Sequence, residues 1–231
     1  MAESNKTQDE YFGSSEGDQY YCRNKTALKG RDGSDDPTLN LIRSYRLNPE
    51  SVLDLGCSNG WRLACMQQEY GCEAVGVDAS TLAVEEGNRD YPNIALHQGM
   101  LLDIPIHGRT FDLVMAVFVL HWVGRENLLR TIGEIDRMVS DGGYLVIADF
   151  YPDSAQRTLY HHDETGSTYT YKQHYAEIFT VSHLYREVAR LSFDTKKSNP
   201  MYHTDFPERD RGCVTLLRKS LHGNTKPDGE S

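Results

Sequence analysis

Residues 51–60, SVLDLGCSNG, set a short apolar run directly against a turn of small residues. Val52, Leu53 and Leu55 read as a buried strand in which Asp54 places one carboxylate. Gly56, Ser58 and Gly60 leave room for a ligand to lie along the main chain before a helix begins near Trp61. Such a turn can cradle a nucleotide, and it can equally be a plain strand-to-helix connection. A second apolar strand, VGVDAS at residues 75–80, ends in Asp78 about 20 residues beyond the turn, where a carboxylate that accepts both hydroxyls of a ribose is expected.

Around these two turns, strands and helices alternate. Residues 38–46 carry Leu39, Ile42 and Tyr45 on one helical face, 62–70 form the first crossover helix ended by Gly71, and 81–89 form another. Residues 93–97 and 111–119 read as strands three and four. The helix at 126–139 puts Leu129, Ile132, Ile135 and Met138 at core spacing, and 141–143 turn into strand five at 144–148. Beyond it the alternation breaks. Residues 149–180 are polar and rich in Tyr and His, an insertion over the carboxyl edge of the sheet in which 172–179 can be helical and where substrate selectivity is expected. Residues 181–191 read as the last helix, Phe193 opens a strand, 199–211 connect, and 213–217 form the final strand. The domain thus spans 38–221, preceded by a flexible tail at 1–10 and an aromatic segment at 11–37, and followed by a flexible tail at 222–231.

Four blocks, LDLGCSNG (53–60), GVDAS (76–80), FDLVMAVFVLHW (111–122) and VSDGGYLVIADF (139–150), stand in the order and spacing of the class I S-adenosylmethionine-dependent methyltransferases. The chain resembles the small-metabolite branch of that family over residues 48–150. The resemblance implies an α/β, doubly wound, Rossmann-like sheet of seven mostly parallel strands with an antiparallel last strand. It also implies S-adenosyl-L-methionine as cofactor, held by Asp54, Gly56, Ser58, Gly60, Asp78, Ala79 and Phe118. Ser58 stands where the family more often has glycine. Met100 stands where it often has an aspartate for the adenine amino group, which leaves that contact to the backbone of Met100 and Leu101. The segment GDQYYCRN at 17–24 is similar to family lids that carry a tyrosine and an arginine, and so assigns Tyr21 to the substrate and Arg23 to the cofactor; an amphipathic helix on the domain edge is the alternative. The paired Gly142 and Gly143 and the LHW of 120–122 have no counterpart in nicotinamide dehydrogenases.

A sulfonium methyl needs a nucleophile held in line with water excluded, which a lid serves. His121, directly after strand four, is the candidate general base for a hydroxyl acceptor, and it can instead hold a loop or pack under the substrate. In the insertion, Arg157, His161, His162, Lys172 and His174 crowd together, with Tyr169 and Tyr171 beside them. Arg157, His161, Tyr171 and Lys172 are therefore candidate ligands for a phosphate, phosphonate or carboxylate, against the reading of a solvated loop that offsets Asp153, Asp163 and Glu164.

Formal charge limits the partners. With 24 basic and 34 acidic residues the chain carries −10, without the basic face that nucleic acid requires, and LHWV stands where a DNA methyltransferase has its catalytic tetrapeptide. The five cysteines include no CxxC pair and no zinc spacing, so no metal is expected. No secretory signal and no bilayer-length apolar run is present, so a cytoplasmic, membrane-free monomer or homodimer is expected. The functional reading is methyl transfer to a small polar metabolite, by O-methylation of an anionic or sugar-like substrate. The alternatives are N-methylation of an amino sugar or amine, and a cofactor-binding subunit without turnover.

Overall fold

The computed structural model describes residues 7–163, 166–196 and 207–223. Its centre is a seven-stranded sheet in the order β3-β2-β1-β4-β5-β9-β8. The strands are β1 (Ser51–Leu55), β2 (Glu73–Asp78), β3 (Ala95–Gln98), β4 (Phe111–Val117), β5 (Val139–Phe150), β8 (Tyr185–Asp194) and β9 (Arg211–Lys219). Strands β1 to β5 pair in parallel, and β9 runs antiparallel to both β5 and β8. The expected architecture is the one observed. Strand order reverses between β1 and β4, which opens a crevice beyond their carboxyl ends.

Both sheet faces are covered. One core layer sets Leu39 and Ile42 of α3 (Pro37–Ser44) with Leu63 and Met66 of α4 (Trp61–Tyr70) against Val52, Met115 and Val146. Val84 of α5 (Thr81–Asp90) packs in the same layer. The other sets Leu128 and Ile135 of α6 (Leu128–Met138) and Tyr175 and Phe179 of α7 (Tyr175–Thr180) against Leu53, Val114 and Ile147. Helix starts follow local chemistry: Asp36 accepts from Leu39 N at 3.0 Å with Pro37 at the first turn, and Ser80 Oγ accepts from Ala83 N at 3.0 Å.

Several sequence expectations are corrected. Residues 185–191, expected in the last helix, lie in β8, and the preceding helix is α7. The cause is a bulge: Glu187 pairs with Leu217 and Ala189 with Leu216, so Val188 is an extra residue that breaks the period of two and makes the apolar spacing mimic a helix. Helix α6 begins at Leu128, so Leu128 and Thr131 are buried while Leu129 is exposed. Lys172 ends a strand rather than starting a helix, because β6 (Gln156–Leu159) and β7 (Tyr169–Lys172) form a separate hairpin. The chain at 7–10, expected as tail, is ordered into α1 (Gln8–Tyr11) by a Thr7/Glu10 capping box, and continues through a π-helical turn at Phe12–Glu16 into α2 (Gly17–Leu28). Residues 1–6, most of the 199–211 connection and most of the last tail lie outside the described residues. Among the described residues no helix is long and apolar enough to cross a membrane.

Candidate active site

Two cavities open at the carboxyl edge of the sheet. The inner one encloses about 810 Å³, counting space open to solvent. Gly56 and Ser58 of the turn after β1, Asp78 and Ala79 after β2, and Gly99, Met100 and Leu101 after β3 line it. Gly56 has φ +73°, and a Cβ there would fall 2.6 Å from Val119 Cγ2, so neither backbone nor space admits a side chain. Ser58 turns its amide toward Asp78: Ser58 N donates to Oδ2 at 2.7 Å, and Ser80 N donates to Oδ1 at 2.8 Å. Burial raises the Asp78 carboxyl above its ordinary value, and these two amide bonds oppose that rise.

The roof of this cavity is the N-terminal segment α1–α2, through Phe12, Gly17, Tyr20 and Tyr21. It is pinned at two ends. Asp18 Oδ1 accepts from Ser80 Oγ at 2.7 Å and Leu82 N at 3.0 Å, while Tyr21 Oη donates to Glu86 at 2.7 Å. On the other side of β1, Asp9 accepts from Asn127 Nδ2 at 2.6 Å and from Gly124 N at 3.3 Å, and Gln8 bridges Trp122 O and the Tyr169 main chain.

The outer cleft, about 1050 Å³ of empty volume, shares Tyr20, Phe118 and Trp122 with the inner cavity. Phe118 follows β4 with φ +51°, a strained backbone for a bulky residue of the kind that gathers at functional sites. His121 is 3% exposed. Its Nδ1 lies 2.8 Å from Asp149 Oδ1, and its backbone N–H donates to Asp149 Oδ2 at 3.2 Å. A carboxylate can only accept here, so Nδ1 carries a proton, and in the neutral tautomer Nε2 is the ring nitrogen with the lone pair.

Cations dominate the remaining walls. Lys172 Nζ sits 4.1 Å above the Phe150 ring centroid, a cation–π arrangement, and has no carboxylate partner among the described residues. Arg23 bonds the fully buried Glu16 and, at 2.7 Å, Tyr160 Oη; Tyr160 also donates to Glu16. Burial and that carboxylate push the Tyr160 hydroxyl far above its usual range. His161 and His162 line the same cleft, where burial and the charge of Arg23 lower His162.

The structure gathers Gly56, Ser58, Asp78, Ala79, Met100, Leu101 and Phe118 around the inner cavity, and His121, His161 and Lys172 around the outer cleft. Six assignments are displaced. Arg23 lines the outer cleft and not the inner cavity, because its guanidinium is drawn to Glu16. Tyr21 lines the inner cavity, with its hydroxyl tied to α5. Asp54 is buried beneath the turn, paired to Arg62 at 3.4 Å, and pushed up to about 6 by burial. Gly60 starts α4 and faces Ile94 and Leu96. Arg157 and Tyr171 oppose one another across β6 and β7, a face on which Arg157 stacks on Tyr169 and Tyr171 meets Arg125; Thr158, Thr170 and Lys172 line the cleft from the other face. Sequence reasoning missed Asp149, Asp9, Trp122 and Tyr160. The TQDE capping box marks Asp9 as part of a helix, while nothing local marks Asp149 as the partner of a residue 28 positions away. Among the described residues no group of His, Cys, Asp and Glu could hold a metal.

Residues 52–143 match the family model described as a methyltransferase domain. Over that segment, about two fifths of the chain, it is similar to a methyltransferase domain. An uncharacterized methyltransferase of Synechocystis sp. is 30% identical over 114 residues, 49% of this chain and 53% of that protein. The chain spans about half the length of the curated relatives it matches. Among solved structures, the 1,6-didemethyltoxoflavin-N1-methyltransferase of Burkholderia thailandensis superposes with TM-score 0.69 at 14% identity, covering 95% of this chain and 93% of that one. The N-methyltransferase NodS of Bradyrhizobium japonicum, in complex with S-adenosyl-L-homocysteine, gives 0.59 at 16% identity, covering 88% and 98%. At such identities the likeness is one of fold. That likeness extends over 95% of this chain for the first structure and 88% for the second.

Proposed function

We propose that this protein transfers a methyl group from S-adenosylmethionine to an oxygen of a small anionic metabolite. The observation that carries this reading is the abutment of the two cavities across Phe118 and Trp122, with the His121–Asp149 pair on the cleft side. The inner cavity fits the donor's chemistry. Asp78, its carboxylate steadied by two amides, keeps lone pairs for ribose hydroxyls, and the bare turn at Gly56 and Ser58 lets the methionine portion lie against the main chain. Met100 and Leu101 offer backbone groups and apolar surface to adenine. Asp9, fixed to the loop after β4, supplies on the far side of β1 the carboxylate that the Met100 position lacks.

The bound sulfonium supplies an already activated methyl group. The chain's own contribution is to orient the acceptor, to exclude water beneath α1–α2, and to take a proton at His121 Nε2. An anionic acceptor is favoured over an amine because the cleft is lined by Lys172, and by Arg23 on its Glu16 partner, with no carboxylate among its described lining residues. An ammonium substrate would meet cations there, although the NodS and toxoflavin neighbours are N-methyltransferases by name. Five free cysteines fit a reducing compartment, so we place the protein in the cytoplasm.

Calorimetry with S-adenosylhomocysteine tests the donor site. The wild type is expected to bind and Asp78→Ala to lose at least about 100-fold in affinity, from two charge-assisted hydrogen bonds. Release of S-adenosylhomocysteine against pooled hydroxy acids, phosphorylated metabolites, phosphonates, sugars and amines then finds the acceptor. No binding by wild type would end this reading.

A further inference from the structure

Resting on the donor-site reading above, the geometry points to an acceptor that is a one-ring aromatic hydroxy acid, methylated on its hydroxyl and held by its acid group. Two different chemical functions share the outer cleft, and they are built from different strands. The first is a proton acceptor. Asp149, at the end of β5, takes both the ring Nδ1 and the backbone N–H of His121, so the imidazole cannot rotate and its Nε2 is the lone pair left for the cleft. An acceptor already ionised, such as a carboxylate or phosphonate oxygen, gives up no proton and would leave this pair without a task. A hydroxyl does need it.

The second function is an anion site. Lys172, on the cleft face of β7, is held over the Phe150 ring, and His161 lies on the same hairpin. The two functions meet on one residue: the Phe150 ring centroid is 5.0 Å from that of His121 and 4.1 Å from Lys172 Nζ. The imidazole centre and the ammonium are therefore no more than about 9 Å apart, a span that one ring bearing an acid group and a hydroxyl can bridge. The surfaces between them are aromatic. Trp122 lies 4.6 Å from His121 and 4.7 Å from Tyr160, and Phe118 packs 5.4 Å from Phe150, so the cleft offers ring edges and faces to a flat apolar body. The arrangement rejects the simpler assignment in which the anion itself is methylated, since the cation that binds it would then oppose its attack.

As the acceptor oxygen forms its new bond to the methyl carbon, its O–H proton passes to His121 Nε2; the carbon–sulfur bond breaks and its electron pair stays on sulfur, leaving a neutral thioether, and the imidazolium later returns the proton to water. Asp149 is a positioning residue in this step, which steadies the imidazolium.

The test uses the full chain with 3- and 4-hydroxybenzoate, their methyl esters, benzoate, and a nitro-substituted hydroxybenzoate whose hydroxyl is ionised at assay pH. In calorimetry on protein loaded with S-adenosylhomocysteine, Lys172→Ala should weaken hydroxybenzoate binding at least about 10-fold and leave the methyl ester unchanged. With S-adenosylmethionine the product should be an alkali-stable ether. Asp149→Asn and His121→Gln should each lower kcat by about 100-fold or more on the ordinary hydroxybenzoate with KM held, in the range of general-base contributions. They should cost less than about 10-fold on the nitro compound, which needs no base; a merely structural Asp149 would cost the same on both. An alkali-labile ester, equal losses on the two acceptors, or a protein that binds S-adenosylhomocysteine but no hydroxybenzoate overturns the inference and leaves the donor site standing. Absence of S-adenosylhomocysteine binding overturns both.

Discussion

Gly56→Ala is the sharpest test of the turn on which the site is built. Two costs add at this residue. An alanine at φ +73° pays about 1–2 kcal/mol for the left-handed backbone. Its Cβ would also lie 2.6 Å from Val119 Cγ2 and 2.7 Å from Val119 Cβ, an overpacking worth about 1–3 kcal/mol. The total, about 2–5 kcal/mol, is a large share of a domain's usual stability and corresponds to a fall in Tm of roughly 4–20 °C for a chain of this size. Gly71 provides the control. It has φ +65° at the end of α4 and nothing within 4 Å of a Cβ, so Gly71→Ala should show the backbone cost alone. Urea unfolding of the two variants, and of Gly56→Ala combined with Val119→Ala, separates the terms. The double variant should recover the part of the loss specific to Gly56 that is due to the Val119 methyl groups and keep the part due to the Val119 Cβ, which alanine retains. If Gly56→Ala and Gly71→Ala lose the same stability, the close approach of the turn to Val119 has no energetic weight and the argument fails.

Tyr160→Phe removes the hydroxyl that joins the β6–β7 hairpin to Glu16 and leaves that buried carboxylate to Arg23 and a long 3.4 Å bond from Tyr11 Oη, at a cost of about 1–3 kcal/mol. Amide hydrogen exchange across residues 8–28 should accelerate, and unchanged protection would show that the latch does not hold the segment. Asp54 has a folded-state value of about 6, raised from the ordinary 3.8 by burial. The fold thus holds this proton more tightly than the unfolded chain, and the group's contribution to stability is present below the unfolded value and lost as pH rises through 6. Between pH 5 and 8 the wild type should lose about 1 kcal/mol relative to Asp54→Asn in urea titrations; a gain would reverse the assigned sign. Asp9→Ala should weaken S-adenosylhomocysteine binding and expose α1 to proteolysis together, and normal affinity with a loosened helix would confine Asp9 to a structural task.

Much of the fold was legible because its signals are local. The apolar runs of β1, β2 and β4, the capping Asp36 and Ser80, and the small residues of the turn each act within a few positions, so pattern alone located them. The errors cluster where a distant partner sets the outcome. Val188 became a bulge residue only through pairing with β9, and Lys172 faces the cleft while Arg157 and Tyr171 do not because the register of β6 on β7 fixes which face each side chain takes. Arg23 was drawn to Glu16, a neighbour seven residues back that its own helical segment buries against Tyr160.

The sequence by itself determined the doubly wound sheet, the bare turn after β1 and the acid at the end of β2, since glycine geometry, strand hydrophobicity and the spacing of one βαβ unit are properties of contiguous chain. Only the tertiary structure decided what the second cavity is. His121 and Asp149 end neighbouring strands, Lys172 arrives on a hairpin and Glu16 from the opposite end of the chain. Their chemistry comes from distances that close when the sheet, the hairpin and the N-terminal helices pack, and no window of sequence contains those distances.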